Sequence, residues 1–278
     1  MIGKYGIRAH DLGMLTTEQI LDRLDELKVD GVQLAPIKVF DRIKTHEMFM
    51  EGDCSSSVCR LFKERQKEIL VLGCYLNHAH PDPKQQKYFQ EISKGYIDIA
   101  ASKGIKCVGT ESFTLNADGK PHMEDHTQVG YNRFIKQLEP IAAYAEERQV
   151  DFAIEPVVHH IIYDIKTTVK LIDDLGSKWV KVIFDPVNLM TQELAKDQSL
   201  FFETFLEAFE TRIITVHVKD FAYSGDKKQV LTAGLGELDY SCLHQMIKQS
   251  QQSMDVILEG ASSEWMVEAI RHMKQIDA

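Results

Sequence analysis

Eight short apolar runs recur along this chain: KYGIR, GVQLA, ILVLGCYL, IKCVGT, DFAIE, VKVIFD, IITVHV and DVILEG. Within each run, nonpolar and β-branched residues follow one another with little alternation. A strand with one wet face alternates; a strand covered on both faces does not, and parallel strands lying under helices are the usual case. Amphipathic stretches fill the intervals. TTEQILDRLDELK opens with Thr16 and Gln19 at capping-box spacing and sets Ile20, Leu21, Leu24 and Leu27 on one face. QKYFQEISKGYIDIAASKG, YNRFIKQLEPIAAYAEERQ, TTVKLIDDLG, LFFETFLEAF, YSCLHQMIKQ and SSEWMVEAIRHMK carry the same helical periodicity. Strands alternating with helices specify an α/β protein with a parallel sheet, and eight is the count at which that sheet closes as a (β/α)8, or TIM, barrel. A doubly wound open sheet is the alternative.

A chain of 278 residues suits a single barrel domain spanning 1–278. No linker, fixed-period repeat or low-complexity tract interrupts it, and FAYSGDKKQ reads as an exposed polar loop. The net charge of −10 argues against a nucleic-acid partner, which selects basic surfaces. No run approaches the ~20 apolar residues of a membrane span. MIGKYGIRAHDLG lacks the apolar stretch of a secretion signal. Five cysteines, an odd number without a C-x-x-C pair, fit reduced and buried thiols. A cytoplasmic location is expected; homo-oligomerisation is left open.

The last four runs share an unusual ending. FAIE closes on Glu155, VIFD on Asp185, ITVH on His217 and VILE on Glu259. In a (β/α)8 barrel these ends converge on the face that carries the active site. One such residue is ordinarily a helix cap or a solvated loop residue. Three carboxylates brought together repel and raise one another's pKa, a cost that a bound cation removes. The set is therefore expected to hold one divalent ion. Carboxylate oxygens suit Mn²⁺, the first expectation, or Mg²⁺, and the imidazole admits Co²⁺ or Zn²⁺. A closed structural zinc site would favour cysteines, and none stands at these ends.

With Glu155 in AIEP, Asp185 in IFDPVN, His217 in VHVKD and Glu259 in ILEG, the chain resembles the xylose isomerase-like barrel superfamily, in its sugar phosphate isomerase/epimerase group. GLGELDY, residues 234–240, is similar to that group's glycine-rich loop before the seventh helix. The resemblance implies that the four residues hold one metal ion and that Glu155 and Glu259 also flank the reacting carbon. Asn188 stands where similar ketose epimerases often carry histidine. D-x-x-N resembles L-xylulose-5-phosphate 3-epimerases, and its amide would bond a sugar hydroxyl. Lys219 is expected either to meet a substrate hydroxyl or phosphate or to pair with a neighbouring carboxylate. No arginine occurs between His217 and Ser241, where 3-epimerases of free ketoses usually carry one.

Barrel geometry also lets Arg8 and His10 at the first strand end, His78 and His80 at the third, Glu111 at the fourth, and His159 and His160 after the fifth line the pocket. The expected substrate is a small carbohydrate. Its carbonyl, polarised by the metal, would make the adjacent proton acidic; one glutamate would take that proton, and the other would return one to the opposite face of a metal-stabilised enediolate. A dehydratase expelling a β-hydroxyl from the same enediolate is the alternative. A more remote one is a nuclease like the abasic-site endonucleases. Those carry extra histidine and aspartate ligands; here Asn188 replaces one such histidine, and no Asp-x-His follows His217. A non-catalytic, metal-stabilised binding protein is a further alternative. GLGELDY lacks the third glycine of a dinucleotide fingerprint.

Overall fold

Each apolar run becomes one strand of a closed parallel barrel in the computed structural model, which describes residues 1–262 and 264–275. The strands are β1 (Ile2–Arg8), β2 (Gly31–Leu34), β3 (Glu68–Gly73), β4 (Cys107–Glu111), β5 (Asp151–Glu155), β6 (Val180–Phe184) and β7 (Ile213–Val218). After them come β8 (Asp220–Ser224) and β9 (Lys227–Leu231), a separate antiparallel pair, and then β10 (Met254–Leu258), the eighth barrel strand. β1 pairs in parallel with both β2 and β10, which closes the sheet on itself and excludes the open doubly wound alternative.

Near-continuous hydrophobicity follows from the two faces of each strand. Val71, Cys107, Ala153, Ile183 and Ile257, one from each of five barrel strands, form a small cluster of their own inside the barrel with Leu70. Other strand residues face the helices. Phe184 on β6, for example, stacks on Phe205 at 3.9 Å between ring centroids, within a group that includes Phe201 and Phe202 of the Gln198–Phe209 helix. Burying each such ring contributes roughly 1.5–3 kcal/mol. The Thr17–Leu27 helix carries the expected capping box, with Thr16 and Gln19 bonded reciprocally at 3.3 and 2.9 Å, and buries Ile20, Leu21, Leu24 and Leu27.

Several elements differ from the sequence expectation. FAYSGDKKQ is the β8–β9 hairpin and not an irregular loop; β9 is mostly exposed, so no burial pattern betrays it. A helix over Cys54–Glu64 was not expected, because serines and cysteine are indifferent helix formers. Its buried Ser55, Val58 and Phe62 nevertheless recur at helical spacing. The run SSEWMVEAIRHMK yields a helix from Met266 to Gln275; Ser263 lies outside the described residues. All five cysteines are free; Cys74 and Cys107 are buried, whereas Cys54, Cys59 and Cys242 are only half-buried. No described helix is long and apolar enough to cross a membrane.

Candidate metal centre

The four charged strand ends meet. Among the described residues, Glu155, Asp185, His217 and Glu259 each offer a ligand atom, and these atoms lie within 4.8 Å of one another. All four side chains are buried, Asp185 and His217 completely. His217 Nδ1 faces the carboxylates, 3.1 Å from Glu259 Oε2, 3.6 Å from Glu155 Oε2 and 3.7 Å from Asp185 Oδ2. Nδ1 has no aligned hydrogen bond to any of them.

Local sequence aims each group. Asp185 caps the short Pro186–Leu189 helix: Oδ1 accepts from the Asn188 backbone N–H at 2.9 Å, which leaves Oδ2 for the centre. Pro186 has no N–H to leave unpaired in that first turn. Asn188 turns back to Glu155, donating from Nδ2 to Oε1 at 2.6 Å. Lys219 Nζ bridges Asp185 Oδ2 and Glu259 Oε1 at 2.7 Å each, which is the carboxylate pairing foreseen for it. Arg8 adds a second cation to Glu259 Oε1 at 2.7 Å and forks onto Asp11.

The two glutamates consequently differ. Glu259 Oε1 accepts from two cations, whereas Glu155 Oε1 accepts from a neutral amide. Burial would raise the Glu259 and Asp185 carboxyls, but the neighbouring cations outweigh it and hold both below their ordinary values, Glu259 far below. Burial would likewise depress His217 and Lys219; the surrounding carboxylates reverse this and push both up. The site thus presents converging anionic oxygens and one inward-facing imidazole nitrogen, a donor set that fits a divalent cation.

Two residues of this environment were not anticipated. Gln33, near the end of β2, is 1% exposed; its Oε1 lies 2.7 Å from His217 Nε2, and its Nε2 donates to the Tyr75 hydroxyl. The only trace in the sequence was a lone polar residue inside the apolar run GVQL.

The remaining candidates divide. Glu111 on β4 is in register with Glu155 on β5, and burial, then Glu155, push it up to about 7. His160 Nδ1 lies 3.9 Å from Glu111 Oε2 and accepts from the Phe113 N–H at 3.1 Å; burial lowers it to about 4. His10 is lowered to about 4 by burial, then by Arg8. His80 turns to its own loop, accepting from the Asp82 N–H at 3.1 Å beside Phe89. His78 is wholly buried against Ser93, and His159 is exposed. Neither His78 nor His80 joins the cluster.

The glycine-rich loop is organised by one buried carboxylate. Asp220 accepts from the backbone N–H groups of Phe221, Gly234, Gly236 and Leu238 at 2.8–3.1 Å. A Cβ at Gly236 would lie 2.2 Å from Phe221 O and 2.4 Å from Asp220 Oδ1, so only glycine lets the backbone approach this closely.

A closed eight-stranded parallel barrel with a buried acid–imidazole cluster at its carboxyl-end face defines the class of molecule. The profile of the family described as xylose isomerase-like TIM barrel matches residues 21–276, and the chain belongs to that family. Its fold is similar to that of a D-tagatose 3-epimerase-like protein, at 16% identity and a TM-score of 0.77 over 99% of this chain and 97% of that one. It is also similar to 3-keto-D-glucoside 4-epimerase YcjR from E. coli, at 11% identity, a TM-score of 0.74 and 98% and 99% coverage. The IOLI protein, whose structure has a bound zinc atom, shares 14% identity with a TM-score of 0.71 over 99% and 96% of the two chains. No curated protein matches the sequence.

Proposed function

We propose that this protein is a divalent-metal-dependent epimerase or isomerase acting on a sugar or sugar phosphate. The observation that carries the reading is the burial of Glu155, Asp185, His217 and Glu259 in one group, with the unbonded His217 Nδ1 directed at the carboxylates. These four residues would hold one ion, which when bound polarises the substrate carbonyl and acidifies the neighbouring C–H. The epimerase names among structures of similar fold agree with this chemistry.

The chain's own residues supply the proton transfers. Glu155, bonded to a neutral amide and to neither Arg8 nor Lys219, is assigned as the group that takes the carbon-bound proton. Glu259, held by Arg8 and Lys219, is assigned to the other face of the substrate, where a proton is returned. Lys219 also neutralises charge that develops on the substrate oxygen. Asn188, Glu111, His160, Arg8 and His10 are assigned to orienting substrate hydroxyls around the mouth. His80 is set apart from these, because its ring contacts Asp82 and Phe89.

The test is incubation of the metal-loaded protein with a panel of ketoses and their phosphates in D₂O. One substrate should gain deuterium at a single carbon, or pass label between adjacent carbons, with a metal stoichiometry of one per chain. Turnover without exchange or transfer of label would contradict the mechanism; loss of water from the product would move it to a lyase.

A further inference from the structure

We propose that Gln33, held in turn by Tyr75, is a positioning residue for His217: it fixes the ring plane and the proton on Nε2, so that the Nδ1 lone pair is aimed at the carboxylate cluster. This rests on the metal-dependent reading given above and adds residues that the cluster alone does not reveal.

Cost and geometry together carry the argument. A primary amide that is 1% exposed inside an apolar strand is expensive unless both of its ends are satisfied. Both are. Oε1 lies 2.7 Å from His217 Nε2, and the amide nitrogen donates to the Tyr75 hydroxyl. A neutral imidazole carries one N–H, and where it sits is set by the partner of the other nitrogen. An acceptor facing Nε2 holds the proton there, so the proton that gives way when an ion binds is the one on Nδ1. That nitrogen is the one lying 3.1–3.7 Å from Glu259, Asp185 and Glu155. Turned around, the amide would offer N–H to Nε2, forcing the proton onto Nδ1 and closing the nitrogen to an ion. Tyr75 takes the other end of the amide and so holds the side chain in place beside His217.

Tyr75 is itself well placed for this. It follows β3 by two residues, and Lys38 Nζ sits 4.4 Å from its ring centroid. Burial, then the neighbouring Glu155 and Glu111, keep its hydroxyl protonated far above the ordinary tyrosine range. Groups that orient a metal-bound imidazole through its distal nitrogen typically change metal affinity about 10–100-fold when removed.

The experiment uses the full chain stripped of metal with chelator and titrated with Zn²⁺ and Co²⁺, alongside Gln33→Leu, Gln33→Glu and Tyr75→Phe, with urea unfolding to confirm folding. Gln33→Leu should lose roughly 10–100-fold in affinity. Gln33→Glu, which keeps an acceptor opposite Nε2, should stay within a few-fold of the parent or bind more tightly. Tyr75→Phe should lose about three- to tenfold, a smaller effect because Gln33 remains. In the Zn²⁺-loaded, ¹⁵N-histidine-labelled parent, the His217 Nε2 proton should exchange slowly. Gln33→Glu should retain that signal and Gln33→Leu should lose it, a contrast that loose packing alone does not produce. A folded Gln33→Leu that binds within twofold of the parent with the same signal overturns the inference. Should Gln33→Leu not fold, unchanged affinity and exchange in Tyr75→Phe overturn it instead. A parent that binds no ion overturns the metal-dependent reading itself, whereas a parent that binds beside unaffected variants overturns only the role of Gln33 and Tyr75.

Discussion

Asn188 donates its side-chain amide to Glu155 Oε1 at 2.6 Å, while the other oxygen of that carboxylate lies 3.6 Å from His217 Nδ1. One oxygen is thus anchored and the other faces the centre, which fixes the carboxylate's rotation without adding a positive charge. A hydrogen bond to an ionised group contributes about 1.5–3 kcal/mol. Asn188→Leu should therefore lower turnover by roughly 10–100-fold while the metal content at saturation is kept. Metal analysis beside steady-state kinetics checks this; loss of the ion together with the activity would assign Asn188 to coordination instead.

Glu111 makes a prediction about pH. Its folded pKa of about 7 stands above the ordinary 4.5, so between those values the folded, metal-free protein holds a proton that the unfolded chain has released. Stability should fall as pH rises through that window. Glu111→Gln removes the penalty. The variant should match the parent below pH 4.5 and exceed it above pH 7, by about 1–3 kcal/mol. Urea unfolding in chelator across the range measures the difference, and an advantage that appears only at low pH would reverse the assignment. With an ion loaded, the nearby cation should shrink the effect.

The Asp220 carboxylate gathers four backbone N–H groups, and their loss would leave buried donors unpaired. Asp220→Ala should cost about 2–4 kcal/mol, and hydrogen exchange over Gly234–Leu238 should rise with it. Gly236→Ala should give the same local signature, because the added methyl meets Phe221 O and Asp220. Protection unchanged in either variant would remove Asp220 as the organiser of this loop.

Legibility in the sequence followed the physics of burial. Strands covered on both faces cannot hide their composition, so VKVIFD and DVILEG read as barrel strands and their terminal Asp185 and Glu259 stood out as charges where apolar runs stop. The β8–β9 hairpin was missed for the converse reason: most of β9 is exposed, so its side chains are free of the core's selection. Gln33 and Tyr75 act through partners 184 and 42 residues apart in sequence, His217–Gln33 and Gln33–Tyr75 respectively, contacts that no local pattern encodes. His78 and His80 were drawn toward the site by their position after β3, but a loop can turn either way. There His78 packs on Ser93 and His80 bonds back to Asp82.

The central claim is that Glu155 moves a proton as well as holding an ion, and the metal-loaded Glu155→Gln variant tests it most directly. Glutamine keeps an oxygen that can coordinate but cannot accept the proton, and Asp185, His217 and Glu259 remain to hold the ion. Asp185→Ala serves as the contrast and should lose ion and activity together, with partial rescue by excess metal. For Glu155→Gln we predict largely retained metal occupancy at saturation, a fall in turnover of about 10²–10⁴, and no rescue by added metal. Turnover within a few-fold of the parent, in a variant shown to be fully loaded, would contradict the account and leave Glu155 as a ligand alone.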